Sequence, residues 1–384
     1  MLTSLQRRYG QLALLAAFYS GLAGATDPGW LYYGGDQGGR HYSSAAQIDR
    51  SNVNELEVAW VFRSGDTKMH PEQMANTSTQ STPILLPEAA GESLVYCTPF
   101  NRVIALDPAT GKQRWTFDPE IDRGGDRPFR CRGVSYAEQT ATPPGQACRH
   151  RLYMSSHDRR LWAIDATNGE PCTAFGDGGK VLLYGKEGLV AGEVSNSSAP
   201  VVADGVVVTG STVIDFVRAH TPRGTVMAFD SVTGRPLWQF DPLVGHANSG
   251  SANVWAPMSV DAEHGLVYLP TSAASPDYYG VDRPGDGLYA NSVVALDLHS
   301  GELRWHFQHV RHDLWDYDTP AQPILFEWRK NGQAIPALAQ LTKQGFVFVF
   351  NRLTGEPLWE ITEQPVPPSQ VPGERSALTQ PKPI

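Results

Sequence analysis

VVALDLHSGELRW, Val293 to Trp305, is one of five copies of a single pattern. The others are VIALDPATGKQRW (103–115), LWAIDATNGEPCTAF (161–175), VMAFDSVTGRPLW (226–238) and VFVFNRLTGEPLW (347–359). Each reads as a hairpin: alternating β-formers, an Asp able to accept backbone N–H bonds, a glycine for the φ > 0 position, and a second strand ending in a large aromatic. The second copy, with Asn168 and Phe175, and the fifth, with Val349 and Asn351, depart from the pattern. The glycines are Gly111, Gly169, Gly234, Gly301 and Gly355, spaced 58, 65, 67 and 54 residues apart. Further strand-like runs lie between copies, such as PVVADGVVVT (200–209) and residues 265–269. A unit of about four strands with a tryptophan at a fixed place predicts an all-β fold of propeller blades, with the aromatic packed between blades.

The chain has 384 residues and a net charge of −9, with no conspicuous run of Lys or Arg, which argues against a nucleic-acid surface and for a small partner. Arg7 and Arg8, an apolar run from Leu12 to Leu22 and the small-residue site Ala23-Gly24-Ala25 predict a secretory signal peptide over residues 1–25 and a mature domain over 26–384. The apolar run is too short for a comfortable membrane span and no later segment approaches that length, so the mature protein is expected to be soluble and periplasmic. Cys97, Cys131, Cys148 and Cys172 suit two disulfides, in any of three pairings. None belongs to a C-x-x-C-H haem signature.

Just after the fourth repeat stands HVRHDLWDYD (309–318), with two histidines, three carboxylates and two aromatics in ten positions. A polar surface loop is the bland explanation. Against it, the repeats resemble the tryptophan-docking repeat of the pyrroloquinoline quinone (PQQ) dehydrogenases, whose relatives form eight-bladed propellers. QHVRHDLWDYDTPAQP (308–323) is similar to the active-site loop of their glucose, quinate and shikimate branch. The resemblance implies a C-terminally incomplete propeller of about five blades, poorly stable alone, with the others supplied elsewhere, such as by a second chain. It implies Asp316 as catalytic base, abstracting a hydroxyl proton while a cation polarises the quinone. Of Asp313 and Asp318, one would be a satisfied turn carboxylate and the other a supporting partner; His309 and His312 would be structural or substrate-contacting.

The same resemblance assigns further residues. Lys343, ahead of the fifth repeat, matches a cation that contacts the quinone oxygens. Trp255 matches the floor beneath the planar cofactor, and Arg132, in CRGVSY, a guanidinium that pairs with one of its carboxylates. Ser197 and Ser198 lie where cofactor hydrogen-bonders are expected, and Gln80 stands where a Glu is common. Asp215, Asp316 and Ser275 are the expected ligands of Ca²⁺ (or Mg²⁺), Ser275 standing where some relatives place an Asn. The vicinal cysteine pair of methanol-type relatives is absent, as is a histidine that glucose-type relatives carry shortly before CRGVSY. The implied activity is oxidation of a sugar or polyol hydroxyl, with electrons passed to a quinone or cytochrome. A propeller kept as an envelope scaffold would be expected to lose the site loop; Arg132, Trp255, Asp316 and Lys343 together favour the enzyme.

Overall fold

The turns fold as their composition dictates. In the first repeat Asp107 Oδ1 accepts the N–H groups of Ala109 (3.1 Å) and Thr110 (2.8 Å). Asp230 holds Val232 and Thr233 in the same way, and Asp297 holds His299 and Ser300. Asn351 does this for Leu353 in the fifth copy, so an amide oxygen suffices. Gly301 follows at φ +73°, in the left-handed region that costs a residue with a Cβ.

The computed structural model describes residues 29–124, 128–185, 187–215, 217–246 and 248–384; the signal peptide expected over residues 1–25 lies outside them. Among the described residues, four antiparallel four-stranded sheets follow one another. The first comprises Ile84–Leu85, Leu94–Cys97, Val103–Leu106 and Gln113–Phe117; the second Ser135–Glu138, His150–Ser155, Arg160–Asp165 and Lys180–Leu182. The third comprises Val201–Ala203, Val206–Thr209, Val226–Asp230 and Pro236–Phe240; the fourth Ser259–Asp261, Leu266–Pro270, Ser292–Asp297 and Leu303–Gln308. A three-stranded sheet, Ile324–Lys330, Gln333–Leu341 and Val347–Asn351, is the fifth. No helix among the described residues is long and apolar enough to cross a membrane.

The tryptophans join one sheet to the next. Trp238 donates its indole N–H to the Leu298 carbonyl (2.9 Å), and Trp305 donates to Arg352 (2.8 Å). The rings lie so close to the next turn that a Cβ on Gly301 would come within 2.6 Å of Trp238, and one on Gly355 within 2.7 Å of Trp305. Where the second repeat has Phe175 instead, Gly234 packs against Val181 and Gly176, and Gly176 N–H bonds to the Thr233 carbonyl (2.8 Å). Trp60, outside the five copies, docks on the first turn: it donates to Pro108 (3.1 Å) and covers Gly111.

Apolar clusters fill the spaces between neighbouring sheets, with Val267, Leu269, Val294 and Leu296 facing the third sheet and Tyr268, Val293 and Ala295 facing the fifth. This alternation follows from the period of two along a strand. The disulfides pair in chain order, Cys97 with Cys131 and Cys148 with Cys172. Residues 30–38 stitch sheets together: Trp30 O accepts from Leu85, Gln37 O from Val260 and Gly38 O from Leu325.

Candidate active site

A cavity of about 570 Å³ opens where segments leaving successive sheets converge. Its walls come from far apart in the chain: Tyr33 and Gln80, Arg130 and Arg132, Thr212, Val213 and Asp215, Asn253 and Trp255, Ser272, and the pair Asp316 and Asp318.

The loop after the fourth sheet is shaped from inside. The Asp313 carboxylate accepts N–H bonds from Trp315 (2.9 Å) and Tyr317 (2.7 Å) and from the Asn291 amide (2.8 Å), which makes it the turn-forming carboxylate. That turn puts Asp316 in the left-handed region, φ +59°. His309 is fully enclosed, with Phe307 and Phe348 rings against it and no partner for either nitrogen; burial drives its pKa down to about 3, so it is neutral. His312 stands between the Gly285 carbonyl (2.8 Å) and the Glu374 carboxylate (3.3 Å). Arg311 forks onto Glu363 (2.6 and 2.8 Å), tying the loop to the hairpin formed by Ile361–Pro365 and Thr379–Pro383.

Asp318 is committed to support. Its Oδ1 accepts Ala273 N–H (2.8 Å), and its Oδ2 accepts the Trp255 indole (3.2 Å) and Lys343 Nζ (3.1 Å). Lys343 also donates to the Asp316 carbonyl (2.6 Å) and lies 3.5 Å from Asp316 Oδ2. Burial works against the Lys343 charge, but the two carboxylates outweigh it and raise its pKa.

Asp215, Asp277 and Asp316 bring one carboxylate oxygen each within 4.8 Å of one another. Asp277 Oδ1 and Asp316 Oδ1 are buried without a hydrogen-bond partner. Three carboxylates gathered this way resist ionisation. Burial, then Asp215, Asp316 and Asp318, push Asp277 up to about 8; burial, then Asp318, pushes Asp316 up to about 6; burial raises Asp215. An oxygen-seeking cation is the natural counterpart of such a set.

Arg132 lies over the Trp255 ring, 5.0 Å from its centroid, and donates to Ser197 Oγ and more weakly to the Trp255 carbonyl (3.4 Å). Ser198 Oγ donates to that same carbonyl. Both serine hydroxyls thus brace the wall from behind. Gln80 lines the cavity and its Oε1 is buried without a partner. Ser275 does not join the carboxylates: fully buried, it bonds through its hydroxyl to Thr221 (2.5 Å).

The structure therefore gathers Gln80, Arg132, Asp215, Trp255 and Asp316 around one cavity, with Lys343 bridging Asp316 and Asp318, and leaves Ser197, Ser198 and Ser275 facing neighbouring groups. Sequence reasoning missed Asp277 and Arg130. Asp277 stands two residues beyond Ser275 in an irregular loop, where no repeat or spacing marks it. Arg130 is in the same short run as Arg132, where no motif marks it.

Residues 30–384 match the description of the glucose/ethanol/alcohol dehydrogenase β-propeller domain, a PQQ family. The chain is 36% identical to the quinoprotein glucose dehydrogenase of Escherichia coli (strain K12) over 389 residues, covering 97% of this chain and 48% of that protein. It is also 36% identical to the quinate/shikimate dehydrogenase (quinone) of Acinetobacter baylyi, covering 92% and 46%. Among solved structures, the quinohemoprotein alcohol dehydrogenase from Comamonas testosteroni superposes with a TM-score of 0.71 at 26% identity, over 93% of this chain and 52% of that one. The chain thus spans about half the length of the curated relatives it matches. With repeats, docking tryptophans and family match all pointing one way, this chain belongs to the β-propeller family of the PQQ-dependent glucose, ethanol and alcohol dehydrogenases.

Proposed function

We propose that this chain carries the cofactor and metal site of an exported PQQ-dependent dehydrogenase that oxidises a CH–OH group of a sugar or polyol to a carbonyl. The observation that carries this reading is the conjunction, in one cavity, of a carboxylate trio with two orphaned buried oxygens, an indole floor and an arginine without a carboxylate partner among the described residues. Such groups are costly to bury unless a ligand satisfies them.

Those residues fit both the cation and the quinone. Asp215, Asp277 and Asp316 offer hard oxygen donors to Ca²⁺ or Mg²⁺. Trp255 offers a flat apolar face, with its indole N–H tied to Asp318 so that the ring is oriented before anything binds. Arg132 offers a charge-assisted donor to a carboxylate. When bound, PQQ supplies the two-electron acceptor and the cation the Lewis acid beside it.

The chain's own part is proton management and positioning. Asp316 takes the substrate hydroxyl proton on a carboxylate whose Oδ1 has no competing partner. Burial and Asp318 raise its basicity, Lys343 moderates it, and the Asp313 turn aims it. Electrons leave to a quinone or cytochrome acceptor. The test is a dye-linked dehydrogenase assay on protein reconstituted with PQQ and Ca²⁺, over sugars and polyols, with Asp316→Asn alongside. Turnover that needs both additions and falls by about 10²- to 10⁴-fold in the variant is expected. No turnover with any substrate, or equal turnover in the variant, removes the reading.

A further inference from the structure

The cavity has a cationic side of which Arg132 is only half. Arg130 lines the cavity as well. The two arginines are separated by one residue of extended chain, so their side chains leave on the same face. Phe129 and Cys131, both 2% exposed, leave on the other face and root the strand in the protein. The strand Phe129–Cys131 is fixed twice more: it pairs in parallel with Thr77–Thr79, Ser78 opposite Arg130, and Cys131 is bonded to Cys97.

Two guanidinium groups are therefore held side by side on a stiff support. No carboxylate pairs with either among the described residues: Arg132 bonds to a hydroxyl and a carbonyl, and Arg130 Nε is buried without any partner. Burial and, after it, the charge of Arg130 push the Arg132 guanidinium down to about 10. Gln80, next along from Thr79, brings an amide whose Oε1 is also unpartnered. Like charges held together, with a spare donor at Arg130 Nε, are costly alone and favourable around an anion. The planar fork of arginine suits a carboxylate in particular.

We propose that Arg130 and Arg132 form a two-guanidinium seat for a carboxylate group, borne either by the cofactor or by a hydroxy-acid substrate. The inference rests on the quinoprotein reading for the identity of the first source and extends it by assigning Arg130. A hydroxy-acid source makes this chain selective for acidic over neutral polyols.

The experiment uses the full chain with Ca²⁺ and compares wild type, Arg130→Gln and Arg130→Lys, with thermal melting to confirm that each is folded. PQQ binding is followed by quenching of tryptophan fluorescence, and quinate and myo-inositol binding by calorimetry, with and without PQQ. A cofactor seat predicts that Arg130→Gln weakens PQQ binding by about tenfold or more, partly restored in Arg130→Lys. A substrate seat predicts unchanged PQQ binding and about tenfold weaker quinate binding, with myo-inositol unaffected. PQQ and quinate affinities both within about twofold of wild type overturn the proposal. A wild-type chain that binds quinate through Arg130 but never PQQ keeps the seat and removes the quinoprotein reading; one that binds neither removes both.

Discussion

Replacing Asp277 by Asn separates what the carboxylate trio costs from what it binds. A carboxyl moved from 3.8 to about 8 is held off ionisation by at most about 6 kcal/mol, at about 1.4 kcal/mol per pH unit. The repulsion is shared with Asp215, Asp316 and Asp318, and the cavity is open to water, so about 2 kcal/mol is the realistic share. Because the folded-state pKa lies above the unfolded one, the folded state holds the proton more tightly. Its stability is greatest below about pH 4 and is lost as pH rises towards 8. Metal-free Asp277→Asn should therefore be about 2 kcal/mol more stable than wild type at pH 8.5 and little different at pH 4. With Ca²⁺ the order reverses, since the variant lacks one ligand; its Ca²⁺ affinity should drop on the order of 10- to 100-fold. Urea unfolding in chelator and in Ca²⁺, with calorimetric Ca²⁺ titration, reads all of this. A variant less stable than wild type in chelator at pH 8.5, or with wild-type Ca²⁺ affinity, refutes the reasoning.

Three further outcomes follow from the geometry. Lys343→Met removes the cation between Asp316 and Asp318, so the acid limb of the turnover–pH profile should move up by about one pH unit; an unmoved limb means that Lys343 does not govern the base. Burial depresses His309 to about 3 and His157 to about 4; below pH 6.5 the unfolded chain takes protons that the folded one refuses, and stability falls with pH. His309→Leu should flatten the slope of unfolding free energy between pH 6.5 and 4.5 by about 1.4 kcal/mol per pH unit, and an unchanged slope contradicts the buried neutral imidazole. Gly301→Ala puts a Cβ 2.6 Å from the Trp238 ring at φ +73°, which should cost about 2 to 4 kcal/mol in denaturant unfolding; a loss below about 0.5 kcal/mol would mean that the tryptophan is not docked on that turn.

The blades were legible because a tight turn demands particular chemistry: an Asp, or Asn351 in the fifth copy, caps backbone N–H groups and the Gly supplies the left-handed residue, so five turns announced themselves at intervals. Trp60 escaped that reading because it closes a segment, LEVAWVF, with no D-x-x-T-G turn before it; its partner turn, at Asp107 to Gly111, belongs to the next repeat. The site was legible where a family pattern is dense, around Asp316, and less so where it depends on which oxygen faces the cavity. Ser275 and Asp277 are two residues apart in one loop, yet Ser275 turns to Thr221 and Asp277 to the trio. Asp313 and Asp318 were equivalent candidates on paper. Only the fold distinguishes a carboxylate spent on its own turn from one spent on Trp255 and Lys343.

The central claim is that this chain holds PQQ over Trp255 beside a cation. The direct measurement is an equilibrium titration of the purified chain with PQQ, read by tryptophan fluorescence, in Ca²⁺ and in chelator, for wild type and Trp255→Ala. The account predicts saturable one-to-one binding in Ca²⁺, weakened by at least about tenfold in chelator and in the variant. Wild-type protein that shows no saturable binding in Ca²⁺, or binding indifferent to both the cation and Trp255, contradicts it.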